Sequence, residues 1–554
     1  MVMTELNKAI IKLLNKRGFV TEEEISEFLS DKPQQTHNPA LFDDIQEGAD
    51  LILSEISKGS RICIYGDYDA DGITSTSLMM SILGHLMPKE RLGYYIPSRF
   101  EEGYGLNMDA IKTIAGNGFD MVITVDCGSV SPDEVVYAES LGMTMLVTDH
   151  HNITDKMAGC LLINPKKPGS NYPFKELSGC GVAFKLAQVL QQKAGLPKSV
   201  LSEVLDLVAI GTVGDIMPLI DENRTMVKFG LKMINTGKRP GLKKLMEGAG
   251  LKPGYITSEN IGFVIVPHLN ASGRIEDASQ AVKLLTAEEN APYIDEIVED
   301  LLFKNQERRR LQNETYKGCV SDLDKENLDD FILIESQDAH EGIAGIVAGK
   351  IKDTFYRPAV ILTPTGSEGQ LLKGTGRSIE GVNLYGLLKN HEDLFEKFGG
   401  HAGACGFTMK GENLPKLRKG LLDDMAAICA ENTNIFVRKY PIDMDLDFDD
   451  ITMSFADQLQ LLAPFGNGNP KPLFRLANVT LSDVKLMGSD NQHVRFTASD
   501  SMGRTVQCVM FNKAAEYGLS LYARRPVELI GTLDCQVWQG SKRLQFMADK
   551  IKFD

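Results

Sequence analysis

The sequence predicts an α/β protein: a doubly wound parallel-sheet domain, a smaller α/β domain, and a C-terminal β-barrel of the OB type. Three observations predict it. From about residue 45, short apolar runs alternate with helical stretches, the pattern of a parallel sheet with crossover helices. Three of those runs end in acidic motifs, Gly66-Asp67-Tyr68-Asp69-Ala70-Asp71-Gly72, Asp126-Cys127-Gly128 and Asp149-His150-His151. In an open α/β sheet, ligand-binding groups collect at the carboxyl ends of the strands. Finally, beyond Gly466-Asn467-Gly468-Asn469-Pro470 the chain breaks into short β-like runs spaced as in a small barrel.

Taken in order, residues 7–29 have helical periodicity with a capping box at Thr21-Glu22-Glu23-Glu24, and 31–39 read as a linker. A helix (44–58) precedes the strand 61–65 and the helix 73–86. Further strands are expected at 92–96, 121–125 and 144–148, with helices at 107–116 and 132–141. Residues 181–194 and 199–210 read as helices leading to Gly211-Thr212-Val213-Gly214-Asp215. A long charged helix, 290–317, carries Arg308-Arg309-Arg310 and suits a connector. The second α/β unit spans about 328–430 and opens with a strand at 330–334. Residues 441–449 alternate apolar and acidic side chains, as an exposed strand would. The barrel runs are 473–477, 479–486, 493–498, 504–511, 526–532 and 543–548.

At 554 residues the chain has room for three or four cores, and 43% hydrophobic with 24% charged residues is an ordinary globular profile. It contains no apolar run of transmembrane length and no signal-peptide pattern at its start, so a membrane partner is not expected. Nine scattered cysteines without a C-x-x-C pair point to reduced thiols and a cytoplasmic protein. The net charge of −16 argues against a nucleic-acid partner as a whole-chain average. From Lys471 to Asp554, however, twelve Lys and Arg face eight Asp and Glu, a local +4 that leaves −20 on the first 470 residues. A basic tail on an acidic body can hold nucleic acid locally; charge alone weighs this equally with chance fluctuation.

Each acidic motif alone admits an ordinary reading. Asp126 can cap a turn through Gly128, His150-His151 can be a packed pair, and Asp215 can cap a helix. Their recurrence at equivalent strand ends favours a shared metal site, because converging carboxylates repel unless cations lie between them. Carboxylate oxygens with one or two imidazoles favour Mn²⁺ or Mg²⁺ over zinc, and the imidazole tilts the choice to Mn²⁺. Two such ions, about 3.5–4 Å apart, clamp the attacking and leaving oxygens of an in-line displacement at phosphate.

Together, G-D-Y-D-A-D-G, V-D-C-G, D-H-H and G-T-V-G-D resemble the four motifs of the DHH phosphoesterase superfamily, and within it the single-strand-specific DNA exonucleases. Supporting stretches are Gly179 to Lys185, His268 to Ile275, Phe398 to Phe407 and Leu462 to Pro470, so the resemblance covers the chain from about residue 10 onward. It implies metal ligation by Asp69, Asp71, Asp126 (the bridge), His150 and Asp215, supported by Asp67 and by His151, which would orient water or stabilise the leaving oxygen. Tyr65 stands where many superfamily members carry a histidine. The resemblance assigns Asn270 and Arg274 to the cleft, Arg274 to a phosphate oxygen, and Arg377, Ser378, Gly399, Gly400 and His401 to substrate binding. Cys405 replaces the usual alanine, a small-for-small change, and Trp538 reads as core rather than as a base-stacking side chain.

The implied domains are an N-terminal helical segment (1–44), a DHH domain (45–285), a connecting helix (286–327), a DHH-associated domain (328–432) and an OB-fold (433–554). The implied activity is metal-dependent 5′-to-3′ exonuclease action on single-stranded DNA, releasing 5′-mononucleotides in repair and recombination by a monomer. A single-strand-binding protein and a RecQ-type helicase are the implied protein partners. Two other classes fit the motifs less well. A phosphodiesterase for short oligonucleotides or cyclic dinucleotides has no use for the barrel, and an inactive Cdc45-like DNA-binding scaffold has no use for the acidic cluster.

Overall fold

The computed structural model describes residues 6–553 except 31, 33, 34, 100, 101, 104, 154, 155, 276, 322, 325, 367–369, 524, 539 and 540. The expected linker at 31–39 therefore lies partly outside the described residues. Strands β1 (Ile62–Tyr65), β2 (Leu92–Tyr95), β3 (Met121–Thr124), β4 (Thr144–Thr148) and β5 (Leu161–Ile163) form one sheet in the order β2-β1-β3-β4-β5. All its pairings are parallel. Every residue of β1 and β3 is buried, as continuous apolar runs in a sheet covered on both faces must be. Helices Ile45–Lys58, Ala70–Leu83 and Gly179–Ala194 pack on one face, and Met108–Gly116 and Pro132–Ser140 on the other. The chain leaves β1 toward β2 and returns past it to β3. The carboxyl ends of β1 and β3 thus flank the topological switch point, where the crossovers diverge and leave a crevice.

The expected helix at 199–210 divides into Ser199–Ser202 and Leu205–Gly214, so Gly211 to Gly214 are helical and Asp215 sits just past the helix end. The expected helix at 7–29 likewise divides into Lys8–Lys16 and Glu22–Leu29, with the Thr21–Glu24 capping box formed. A five-residue π-helical turn, Ile261–Ile265, runs directly into helix Val266–Ile275. The 28-residue helix Ile294–Ser321 joins this domain to the second.

There β6 (Ile332–Glu335), β7 (Ala359–Thr365), β8 (Leu371–Arg377), β9 (Phe395–His401) and β10 (Ala404–Lys410) form a mixed sheet in the order β6-β7-β8-β10-β9, with its own cores on both faces. In the third unit, β11 (Met444–Asp445) pairs alongside β12 (Phe474–Met487). β12, β13 (His493–Ser499), β14 (Thr505–Met510), β15 (Val527–Trp538) and β16 (Ser541–Phe553) close into a five-stranded barrel through β12–β15 pairing. The runs expected at 473–477 and 479–486 are one strand, its register shifting between Leu476 and Val479. The side chain of Trp538 lies outside the described residues.

The two N-terminal helices are built into the barrel unit. Ile10, Leu13, Leu14, Ile25 and Phe28 share one core with Phe455, Phe474, Phe496 and Phe546. Arg17 donates to Asn469 and Pro470. Arg224, reaching out from the first domain, stacks 3.9 Å over Phe28 and donates to the Leu462 carbonyl.

Candidate metal centre

The three strand ends converge as the motifs require. After β1, the chain turns so that Asp69 caps helix Ala70–Leu83, accepting from the Asp71 and Gly72 backbone N–H groups. Asp71, in the first turn, accepts from Gly179 N (2.6 Å) and Cys180 N (2.9 Å) at the start of helix Gly179–Ala194, a helix end that favours negative charge. Asp126, at the end of β3, has φ +63°, a conformation Asp tolerates better than most residues.

His150 Nε2 lies 3.1 Å from Asp126 Oδ1, 3.5 Å from Asp215 Oδ2 and 3.9 Å from Asp71 Oδ2. No hydrogen bond forms at that nitrogen despite the short approach; carboxylates and imidazole point at common centres rather than at each other. Three groups offer ligand atoms within 4.8 Å of one another: Asp67, Asp69 and Asp126; Asp71, His150 and Asp215; and Asp126, His150 and His151. Tyr65, in the position that is often histidine, donates its hydroxyl to Gly105 O and belongs to the core.

Electrostatics favour a cation between these groups. Burial and neighbouring carboxylates push Asp67, Asp71 and Asp126 well above the usual carboxylate range. Asp215 rises to about 7 through burial and Asp69. Burial lowers His150 to about 3, so its imidazole is neutral and able to ligate. Asp149 is different: its carboxylate accepts from Ser129 N, His150 N, His151 N and His151 Nδ1. Burial opposes charge on His151, yet the hydrogen bond and charge of Asp149 hold the imidazole up at about 9. Asp149 is thus the orienting partner of His151, a role the sequence motif alone did not assign.

The buried, unbonded Asp67 Oδ1 and His150 Nε2 fit divalent cations, as does the mainly oxygen donor set. Glycines make room for it. A Cβ on Gly179 would lie 2.5 Å from Asp126 Cβ and Oδ1, and one on Gly211 would lie 2.5 Å from Asp71 Oδ1. Gly179→Ala is expected to weaken Mn²⁺ binding about ten- to a hundredfold by displacing Asp126. Calorimetric titration checks this; unchanged affinity would show that the cradle yields at no cost.

Facing the acids is a cationic wall. Arg274 donates to Gly342 O of the second domain. Burial, then Arg99 and Arg308, lower it to about 10, and it also feels Asp69 and Arg377. Arg99 stacks over Tyr68 at 5.2 Å. Burial and then Arg99 lower both Arg377 and Lys373. Among the described residues, Arg99, Arg274, Arg308 and Arg377 have no carboxylate ion pair, whereas Lys373 pairs with Glu341, so the guanidiniums hold the positive charge open to an anion. Sequence reasoning missed Arg99, Arg308 and Lys373. The position of Arg99 just beyond the carboxyl end of β2 was the available signal.

Asn270 Oδ1 is buried without a hydrogen bond. Ser378 Oγ donates to Val382 O, Gly400 has φ +139°, and exposed His401 Nδ1 accepts from Gly403 N. The described partners of Ser378 and His401 lie within their own sheet domain, as does the close packing around Gly400. No helix among the described residues is long and apolar enough to cross a membrane.

Family models match three segments: the DHH family N-terminal domain over 61–212, the DHHA1 domain over 328–427 and the RecJ OB domain over 442–550. The chain is 37% identical over 543 residues to the single-stranded-DNA-specific exonuclease RecJ of Bacillus subtilis, covering 97% of this chain and 67% of that protein. The same-named Escherichia coli protein is 31% identical, with 92% and 90% covered. The crystal structure of RecJ with Mn²⁺ from Thermus thermophilus superposes with a TM-score of 0.81 at 26% identity, covering 98% of this chain and 75% of that one. A structure of that protein with Mg²⁺ gives 0.77 at 26% identity, covering 100% and 76%. With all three domains matched in order around an acidic cluster built for metal ions, the chain belongs to the RecJ family of DHH phosphoesterases.

Proposed function

We propose that the protein is a metal-dependent exonuclease that degrades single-stranded DNA from the 5′ end, releasing 5′-mononucleotides during DNA repair and recombination. The observation that carries this is the pairing of a carboxylate–imidazole cluster at the switch point with a group of arginines that form no ion pair among the described residues. The bound cations would supply a polarised phosphate and an activated water. Asp67, Asp69, Asp71, Asp126, His150 and Asp215 are assigned to hold them. His151, kept protonated by Asp149, is suited to give a proton to the leaving oxygen or to stabilise its charge.

Asn270 and Arg274 are assigned to the scissile phosphate, where a guanidinium matches two oxygens at once. Arg377, Ser378, Gly399, Gly400 and His401 would hold the nucleotide on the second-domain side, with the barrel taking the rest of the strand. Contacts to phosphate carry no sequence information, so cleavage is expected at every sequence. Nine free thiols support action in the cytoplasm. A monomer working with a single-strand-binding protein and a RecQ-type helicase completes the reading.

The test uses Mn²⁺ and single-stranded DNA labelled at either end, with Asp126→Asn as the control for contaminating nuclease. Mononucleotide release from the 5′ end, absent on duplex and in the variant, is the expected result. Binding without cleavage would leave a scaffold, and cleavage confined to very short oligonucleotides would point to the small-substrate phosphodiesterases.

A further inference from the structure

Asn164 follows the three-residue β5 and comes directly before Pro165. A proline confines the residue ahead of it to extended backbone. Asn164 therefore prolongs β5 at the carboxyl edge of the sheet, where β3 leads to Asp126 and β4 to Asp149-His150-His151. Its side chain is 2% exposed. The amide nitrogen donates to Ser129 Oγ (2.8 Å) and to the His151 carbonyl (3.0 Å), and the amide oxygen accepts from Lys166 N (2.8 Å). A planar amide with two N–H groups and an acceptor is what this three-way junction requires.

Both groups that receive its N–H bonds belong to the frame around His151. Ser129 is fully buried and donates its own N–H to Asp149 Oδ2 (2.9 Å). The other oxygen, Oδ1, takes the His151 N–H (3.1 Å) and pairs with its ring Nδ1 (2.8 Å). His151 is thus held at its main-chain N–H by Asp149 and at its main-chain carbonyl by Asn164. The carboxylate that orients its ring is held from behind by a serine that Asn164 fixes. The His151 side chain is 43% exposed, and a ring nitrogen lies within 4.8 Å of ligand atoms on Asp126 and His150. Among the described residues, Asn164 bonds to none of the six side chains assigned to the cations.

We infer that Asn164 is a positioning residue for the reaction: through Ser129 and the His151 carbonyl it sets where the His151 ring stands, without touching cation or substrate. The inference rests on the proposed function. In that reaction the oxygen of a water bonds to phosphorus and the bond from phosphorus to the 3′ oxygen breaks. The departing 3′ oxygen takes the proton of His151, the water gives one up to solvent, and solvent reprotonates the imidazole. A donor misplaced by about 1 Å costs on the order of a hundredfold, even with every ligand and phosphate contact intact.

The test compares wild type with Asn164→Asp, which keeps the shape and loses the N–H donors, and with Asn164→Ala. Each receives Mn²⁺ and 5′-phosphorylated dT₂₀, once with normal linkages and once with sulfur replacing the 3′ oxygen of the first linkage. A thiolate departs without needing a proton. On the normal strand, kcat for release of the first nucleotide should fall about ten- to a hundredfold at unchanged KM. On the sulfur strand the variants should match wild type, and calorimetry should show unchanged Mn²⁺ affinity. An unchanged kcat, equal losses on both strands, or weaker Mn²⁺ binding overturns the inference and leaves the nuclease reading intact. Ser129→Ala removes one of the two N–H bonds and keeps the serine N–H on Asp149. It carries the same comparison if the Asn164 variants melt below the assay temperature. If wild type cuts no DNA, the nuclease reading fails, and crystal structures decide the positioning. In Asn164→Asp the His151 ring should leave its place beside Asp149 while Asp126 and His150 superpose on wild type; an unmoved ring overturns the inference.

Discussion

Asp126→Asn is expected to abolish cleavage while leaving the metal-free protein better folded than wild type. The position is 2% exposed at φ +63°, and asparagine shares the tolerance of aspartate for that conformation, so the backbone has no reason to move. What changes is charge. Asp126 contributes to two of the three ligand groups, and burial, then Asp71, Asp69, Asp67 and Asp215, all raise its protonation. Removing it relieves repulsion in the absence of metal and removes a ligand in its presence. A lost ligand weakens stabilisation worth several kcal/mol, so activity should fall by on the order of 10³-fold or more. Thermal unfolding with and without Mn²⁺ is the companion measurement. The midpoint in EDTA should rise, and the gain on adding Mn²⁺ should shrink. A variant that melts lower in EDTA would mean that Asp126 serves structure first.

Lys185→Met should give the largest loss of stability. Lys185 and Glu222 are 1% and 0% exposed at their side chains and pair at 2.5 Å. Lys185 also donates to His37 O, and Glu222 accepts from the Tyr172 hydroxyl. Burial lowers the Lys185 ammonium, and Glu222 works against that shift. Breaking a buried pair from one side strands the other charge at a cost of about 3–5 kcal/mol. Urea unfolding monitored by circular dichroism measures it. Lys185→Met with Glu222→Gln should recover much of the loss, since no bare charge then remains. Activity should fall with stability in the single variant, because Lys185 lies on the helix whose first turn grips Asp71. Equal losses in the single and double variants would show that packing, not charge, is what the lysine provides.

The acidic motifs were legible because both of their signals are local. A buried parallel strand is a short apolar run, and β1, β3 and β4 are such runs, each ending directly at its carboxylates. The three-residue β5 is too short to show any period. The helix at 205–214 could not be separated from its neighbour, because Gly211 and Gly214 look like a loop until one sees how closely they pack on Asp71, Ala70 and Val266.

By itself, the sequence determined the fold class, the barrel, and the strand ends where Asp67, Asp69, Asp71, Asp126, Asp149 and His150 must sit. These follow from periodicity and turn chemistry, whose range is a few residues. Only the tertiary structure decided that Asp149 orients His151, that Arg99, Arg308 and Lys373 join Arg274 and Arg377 in one wall, and that the first helices complete the barrel's core. Those outcomes depend on which distant surfaces bury one another, and charge acts through space between groups that no local spacing relates.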